Sequence, residues 1–156
     1  MLMSTRSRIG VIRADGRIES IYCHFDGYPK GVGKILNENY QSQYKVNRLI
    51  KLGSISVLGI EIGKKQDFND FRNHNKDWCL AYNRDRGDSW DVYCRPLFSD
   101  NEDEFIELAR DSWGEYIYLF AGGKWFVRNI YSDEHNKIKK FTSLEDILNE
   151  YIQIES

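Results

Sequence analysis

The stretch 20–29, SIYCHFDGYP, holds the side chains best suited to chemistry, and two other segments supply charge: Arg6 and Arg8 upstream, Arg84 and Arg86 further along. Guanidinium forks bind phosphate or carboxylate through paired N–H groups in a way lysine does not reproduce. Tyr22, Tyr28 and Tyr82 could stack on a base or wall an aromatic pocket. Gly27, Gly31 and Gly33 lie near a helix start and could let backbone N–H groups approach an anion. The candidate ligand-binding set is therefore Arg6, Arg8, Tyr22, His24, Asp26, Tyr28, Arg84 and Arg86. A competing reading is an internal ion-pair set, with Arg84 and Arg86 bracketing Asp85 and reaching toward Asp26, since buried arginine normally has a carboxylate partner.

His24 and Asp26 are two apart. In the functional reading His24 donates a proton or meets a phosphate, oriented by Asp26. In the structural reading Asp26 caps the coming helix and satisfies a strand-end histidine. Cys23 points to the apolar side of its strand, beside Ile21 and Phe25, where buried thiols are inert. Its neighbour His24 points the other way, which argues against a Cys-His nucleophile pair. The four tryptophans, Trp78, Trp90, Trp113 and Trp125, read as core or interface aromatics rather than a ligand cage. No catalytic residue is assigned. The three cysteines and three histidines (His24, His74, His135) lack the close pairing of a structural zinc site, so no metal and no cofactor are expected.

Each candidate needs an element to hold it. Asp15 and Gly16 between β-branched runs predict a two-residue hairpin loop, with Val11 opposite Ser20, Ile9 opposite Tyr22 and Ser7 opposite His24. Both faces of this hairpin are partly apolar, which predicts an interior place in a sheet. Pro29 suits the start of a helix carrying Val32, Ile35, Leu36 and Tyr40 inward. A second helix is expected over 43–52, with Val46, Leu49 and Ile50 buried and Gly53 ending it. Residues 54–63 read as an irregular connection anchored by Ile55, Leu58 and Ile60. Residues 64–77 read as a polar surface excursion with Phe68 and Phe71 as anchors. A strand over 78–82 delivers the chain to the Arg84 segment, and 88–97 could hold another.

Ser99 and Glu102 have capping-box spacing ahead of a helix with Phe105, Ile106, Leu108 and Ala109, whose acidic start suits the helix dipole. Gly122 and Gly123 close a second hairpin, with Tyr118 opposite Val127 and Phe120 opposite Trp125. Thr142 and Glu145 open a last helix that buries Leu144, Ile147, Leu148 and Tyr151. The sum is a single α+β domain over 1–156: a largely antiparallel sheet from two hairpins and an additional strand, with about four helices packed on it.

A net charge of -2 over 156 residues argues against an extended nucleic-acid partner, which requires a strong basic excess. No stretch approaches the roughly 18–20 apolar residues of a membrane span, so no membrane partner is expected. Unpaired cysteines fit a reducing cytoplasm. The aromatic content of 14% would favour a homo-oligomer if enough of it were exposed.

The segments Ser4 to Gly10 (S-T-R-S-x-I-G) and Ile21 to Pro29 (I-Y-C-H-x-D-G-Y-P) resemble a family of small, mostly uncharacterised proteins of phages and mobile elements. The resemblance continues through L-I-x-L-G-x-x-S-x-L-G at Leu49 to Gly59, A-Y-x-R-D-R-G at Ala81 to Gly87, and an aromatic hairpin at Tyr116 to Val127. Phe25 stands where that family usually has tryptophan. The resemblance implies a context, the host cytoplasm, and no catalytic residues. Small phage proteins of this kind often act against host defences, which is association by neighbourhood. The expected function is a counter-defence protein that sequesters a phosphorylated, nucleotide-like ligand. The alternatives are a protein inhibitor of a host defence effector and, third, a His24-dependent hydrolase or phosphodiesterase.

Overall fold

The computed structural model of the chain describes residues 2–131 and 140–155; His135 lies outside them. Its first hairpin differs from the expected one by a single residue. Strands β1 (Arg6–Ile12) and β2 (Ile18–Cys23) pair antiparallel with Arg8 opposite Tyr22, Ile9 opposite Ile21 and Gly10 opposite Ser20. The expected pairings of Ile9 with Tyr22 and Val11 with Ser20 are corrected, because the loop has three residues, 14–16. Arg13 and Arg17 close it through an Arg13 N–H donated to the Arg17 carbonyl at 2.8 Å, and Gly16 N–H donates to the Arg13 carbonyl at 2.9 Å. Gly16 sits at φ +87°, the left-handed position that closes a three-residue hairpin loop. Asp15 reinforces the turn: its carboxylate accepts from the Arg17 backbone N–H at 3.0 Å and from Arg17 Nε at 2.8 Å.

The other strands are β3 (Ile55–Val57), β4 (Leu80–Ala81), β5 (Leu97–Ser99), β6 (Gly114–Ala121), β7 (Lys124–Asn129) and β8 (Thr142–Ser143). Among the described residues they form one eight-stranded sheet ordered β4-β3-β2-β1-β6-β7-β8, with β5 also on β2. The fold is α+β, and among the described residues the sheet is antiparallel in most of its pairings, as expected, but not in all: it is mixed. β1 pairs parallel with β6, and β2 with β3. Parallel neighbours require long crossovers, and periodicity within a strand does not reveal which distant strand will lie beside it. The second hairpin keeps its expected register: Tyr118 faces Val127 and Phe120 faces Trp125, across Gly122 and Gly123 at positive φ.

Five α-helices are described: α1 (Lys34–Asn39), α2 (Gln43–Lys51), α3 (Tyr82–Arg86), α4 (Glu102–Asp111) and α5 (Leu144–Glu155). A π-helical turn, Pro29–Gly33, feeds α1. The additional helix is α3, which ends at Gly87 with φ +81° in the role of a left-handed cap. The α4 cap is Asn101, not Ser99: its side chain accepts from Glu104 N–H at 2.9 Å, while Glu104 accepts from Asp100 N–H at 3.1 Å. Ser99 is in β5. Ser143, rather than Thr142, accepts from Asp146 N–H at the start of α5. Ile60 and Phe71 are exposed rather than anchors; Ile62 and Phe68 take that role.

The two sheet faces carry separate cores. Ile9, Val11, Ile21, Cys23, Tyr118 and Val127 pack with residues of α1, α2 and α5. Ile18, Ile117, Leu119 and Ile130 pack on the opposite face with Phe105, Ile106 and Ala109 of α4. Gly10 marks where α4 crosses β1: a Cβ there would meet Ile18 Cγ2 and Phe105 Cζ, each at 2.9 Å. Alternation then places Arg6 and Arg8 on the α4 face, beyond the end of that helix. Gly10→Val should force α4 off the sheet and destabilise the protein by about 1–3 kcal/mol, the usual cost of overpacking, read from urea unfolding.

Candidate functional site

The corrected register does something for the site. Residues directly opposite in an antiparallel pair share a face, so Arg8 and Tyr22 stand side by side, and continuing the pairing sets Arg6 beside His24. The expected register would have matched these residues with partners such as Ser7 and Ile9 instead. Their shared face is bounded by the C-terminal end of α4 and by the segment leading into β5. Between them lies a cavity of about 520 Å³, lined by Arg6, Arg8, Tyr22, Tyr93, Asp111 and Trp113 among others.

Arg8 is the unusual member. It is 5% exposed, its Nε donates to Ser20 Oγ and an Nη donates to the Ser20 carbonyl, each at 2.8 Å. No carboxylate pairs with it, and its remaining N–H groups have no protein partner among the described residues. Burial draws its guanidinium down from 12.5 to about 10, which leaves it charged at neutral pH. The Arg6 side chain also has no hydrogen bond or ion pair among the described residues, although its backbone belongs to β1. Asp111 lies on the exposed rim and forms no ion pair with either arginine, so water screens its field.

Tyr22 and His24 form a linked pair, with the tyrosine oxygen 2.6 Å from His24 Nδ1. Burial pushes the Tyr22 phenol up to about 12, while burial and then the nearby Arg6 charge hold His24 below its ordinary value. His24 is therefore neutral at neutral pH, and its imidazole shares a hydrogen bond with the Tyr22 phenol. His24 is not oriented by Asp26. Asp26 binds the N-terminal segment instead, accepting from Met3 N–H at 2.8 Å through its side chain and donating its own N–H to the Met3 carbonyl at 2.7 Å. Tyr28 leans toward Asp26, which helps to raise its phenol after the effect of desolvation, and it lines neither this cavity nor the next.

The glycines near Pro29 do not cradle an anion. Gly27 N–H donates to the Thr5 carbonyl at 2.8 Å and Gly31 N–H to the Tyr28 carbonyl at 2.9 Å. A Cβ at Gly27 would come 2.7 Å from the Thr5 oxygen, and one at Gly31 would strike the Asp26 carbonyl. They are small so that the β2–α1 connection can pass under the N-terminal segment.

The two downstream arginines part company. Arg84 is a structural clamp: it donates to Asp85 through Nε and Nη2, to the Ile62 carbonyl at 2.8 Å and to the Cys79 carbonyl at 2.7 Å. Asp85 is completed by the N–H groups of Gln66 and Ala81, which pins the 62–68 connection onto α3. Arg86 forms a two-point pair with Asp88 at 2.8 and 2.7 Å and stacks on the rings of Phe68 and Tyr82, under 5 Å from each centroid. It lines a second cavity of about 390 Å³, together with Tyr22, Tyr82, Asp88, Asp91 and Tyr93.

The structure thus brings Arg6, Arg8 and Tyr22 to one cavity, attaches His24 through Tyr22, sets Arg86 in the neighbouring cavity, and removes Arg84, Asp26 and Tyr28. Sequence reasoning missed Tyr93 and placed Trp113 among core or interface aromatics. Trp113 is 78% exposed and holds φ +63°, a left-handed position just beyond α4 where glycine is usual. Such strain in a bulky residue clusters at functional sites. A Trp-Gly pair after a helical pattern is the signal available in the sequence, since either residue could have taken the cap. Cys23 is fully buried, with its thiol pushed up to about 12, as an inert core residue.

Among the described residues, no group of three or more His, Cys, Asp or Glu side chains gathers to hold a metal ion, and no helix is long and apolar enough to cross a membrane. No protein-family model, curated protein or solved structure matches this chain.

Two measurements check the geometry. Arg84→Met should cost about 3 kcal/mol in chemical unfolding, because it strands the buried Asp85 carboxylate, whereas Arg86→Met on the surface should cost less than about 1 kcal/mol. In an NMR titration His24 should protonate below 6.5, and Arg6→Gln should move it upward. Since only the unfolded chain takes up the proton near pH 6.5, His24 lowers stability as pH falls from there toward its folded-state pKa.

Proposed function

We propose that this protein is a non-catalytic binder of a phosphorylated, nucleotide-like small molecule and acts by sequestration. The observation that carries this reading is the buried, charged Arg8 with no carboxylate partner, opening onto a cavity it shares with Arg6. A buried charge without a counter-ion is costly, and a dianionic phosphate supplies the missing partner through paired N–H···O bonds. Tyr22, Tyr93 and Trp113 offer ring faces for a base beside it. The cavity volume falls in the range typical of small-molecule sites. In the phage or mobile-element setting that the motifs resemble, such a pocket would withdraw a nucleotide signal of a host defence. A hydrolase reading loses the carboxylate expected to orient His24, because Asp26 is engaged with Met3.

A second reading, a protein inhibitor, is favoured by the aromatic rim of the same cavity, where Tyr93 is 86% exposed beside Trp113. Aromatic residues of this kind are the usual anchors of protein interfaces. Binding of a partner protein without any response to phosphorylated compounds would favour it over sequestration.

The test is calorimetry with mono-, di- and cyclic nucleotides on the native protein and on Arg8→Met combined with Ser20→Ala, which removes the charge and its hydroxyl partner together. The double variant should stay folded, with an unchanged or higher Tm, since it relieves an uncompensated burial. It should lose at least about tenfold in affinity, the equivalent of charge-assisted bonds worth about 1.5–3 kcal/mol. Unchanged affinity, or collapse of the fold, would show that Arg8 is structural. Trp113→Gly should raise stability by about 1 kcal/mol through relief of the left-handed strain, yet weaken nucleotide binding by removing a ring from the wall.

A further inference from the structure

The two cavities share Tyr22 and Tyr93. Their junction follows from the sheet. The outer edge of β2 is divided between two partners: β5 pairs with Ile18 to Ser20, while β3 pairs only at Cys23. Tyr22 lies between them, where the neighbouring strands diverge and a cleft opens.

The two ends of that cleft differ in chemistry. One holds the Arg6 side chain and the buried Arg8, neither with an ion pair among the described residues, and has Asp111 only at its exposed rim. The other holds hydroxyls and carboxylates: Ser89, Tyr82, Asp88 and Asp91. Arg86, the cation at this end, is already matched by Asp88. Asp91 uses one oxygen, Oδ1, to accept Tyr93 N–H at 2.9 Å and thereby shape the segment that carries the shared Tyr93. Its other oxygen has no protein partner among the described residues.

We infer that the cleft is one bipartite site, and that its ligand carries phosphate at one end and hydrogen-bond donors, such as a ribose diol or an exocyclic amine, at the other. This rests on the sequestration reading above and narrows it: the Arg8 end fixes the phosphate, Tyr22 and Tyr93 flank the ring between, and Asp91 reads the donors. The Asp91 end offers no unmatched cation for a second phosphate, since Arg86 is held by Asp88.

Three probes separate the ends: inorganic phosphate, phenyl phosphate, and adenosine 5′-monophosphate. The native protein should bind the adenosine compound about tenfold or more tighter than phenyl phosphate. Asp91→Asn keeps the oxygen that Tyr93 needs and turns the free oxygen into a donor. It should reduce that preference to less than about threefold while leaving phenyl phosphate unaffected. Arg8→Met with Ser20→Ala should weaken all three. Equal binding of phenyl phosphate and the adenosine compound to the native protein, or an undiminished preference in Asp91→Asn, overturns the bipartite site while the Arg8 dependence still stands. If none of the three binds, or the Arg8 variant binds them as well as the native chain, the sequestration reading itself falls.

Discussion

The register of the first hairpin is the constraint on which the rest depends. Three loop residues, Ala14 to Gly16, lie within the Arg13–Arg17 pair that closes the hairpin of β1 and β2, and the left-handed Gly16 suits that length. Because side chains alternate with period two, a shift of one residue reassigns every cross-strand partner. With three loop residues, Arg8 meets Tyr22, Arg6 adjoins His24, and Ser20 lies within reach of the Arg8 fork. The opposite face keeps Ile9, Ile21 and Cys23 in the main core. That register therefore decides both how the central strands bury their apolar residues and which polar residues stand together.

Arg8 and Arg84 show how position separates two residues of one type. Both are largely buried. Arg84 is matched by Asp85 and two carbonyls, so its charge is neutralised and its fork nearly filled. It ties the 62–68 connection to α3 and has nothing left to offer a ligand. Arg8 bonds only to Ser20 and keeps N–H groups facing a cavity. The first arrangement is self-sufficient; the second leaves part of the fork unmatched by protein groups among the described residues.

The cavity also depends on a split sheet edge and a strained helix end. β2 exchanges one neighbour for another around Tyr22, so no strand covers that position. Helix α4 stops short of Arg6 and Arg8, and Trp113 turns the chain back into β6 through a conformation that disfavours tryptophan. Helix, sheet and the Tyr93 segment then enclose space instead of packing it shut. The same geometry leaves Tyr93 and Trp113 at the rim, where a bound ring or a partner protein would find them.

The sequence by itself determined the elements whose signals are local. The second hairpin follows from Gly122 and Gly123, the α2 helix from its spacing and Gly53, and the buried faces from Val46, Leu49, Phe105 and Leu144. It also singled out Arg6, Arg8 and Tyr22 as candidates, because the residue types themselves carry the chemistry. Only the tertiary structure decided which arginine lacked a carboxylate, that Asp26 would turn to Met3, and that Tyr93 and Trp113 would border the site. It also decided that β6 would lie parallel to β1. The physical reason is range: propensity, capping and alternation act over a few residues, whereas ion pairing, burial and cavity formation depend on groups that are tens of residues apart in the chain and meet only after it has folded.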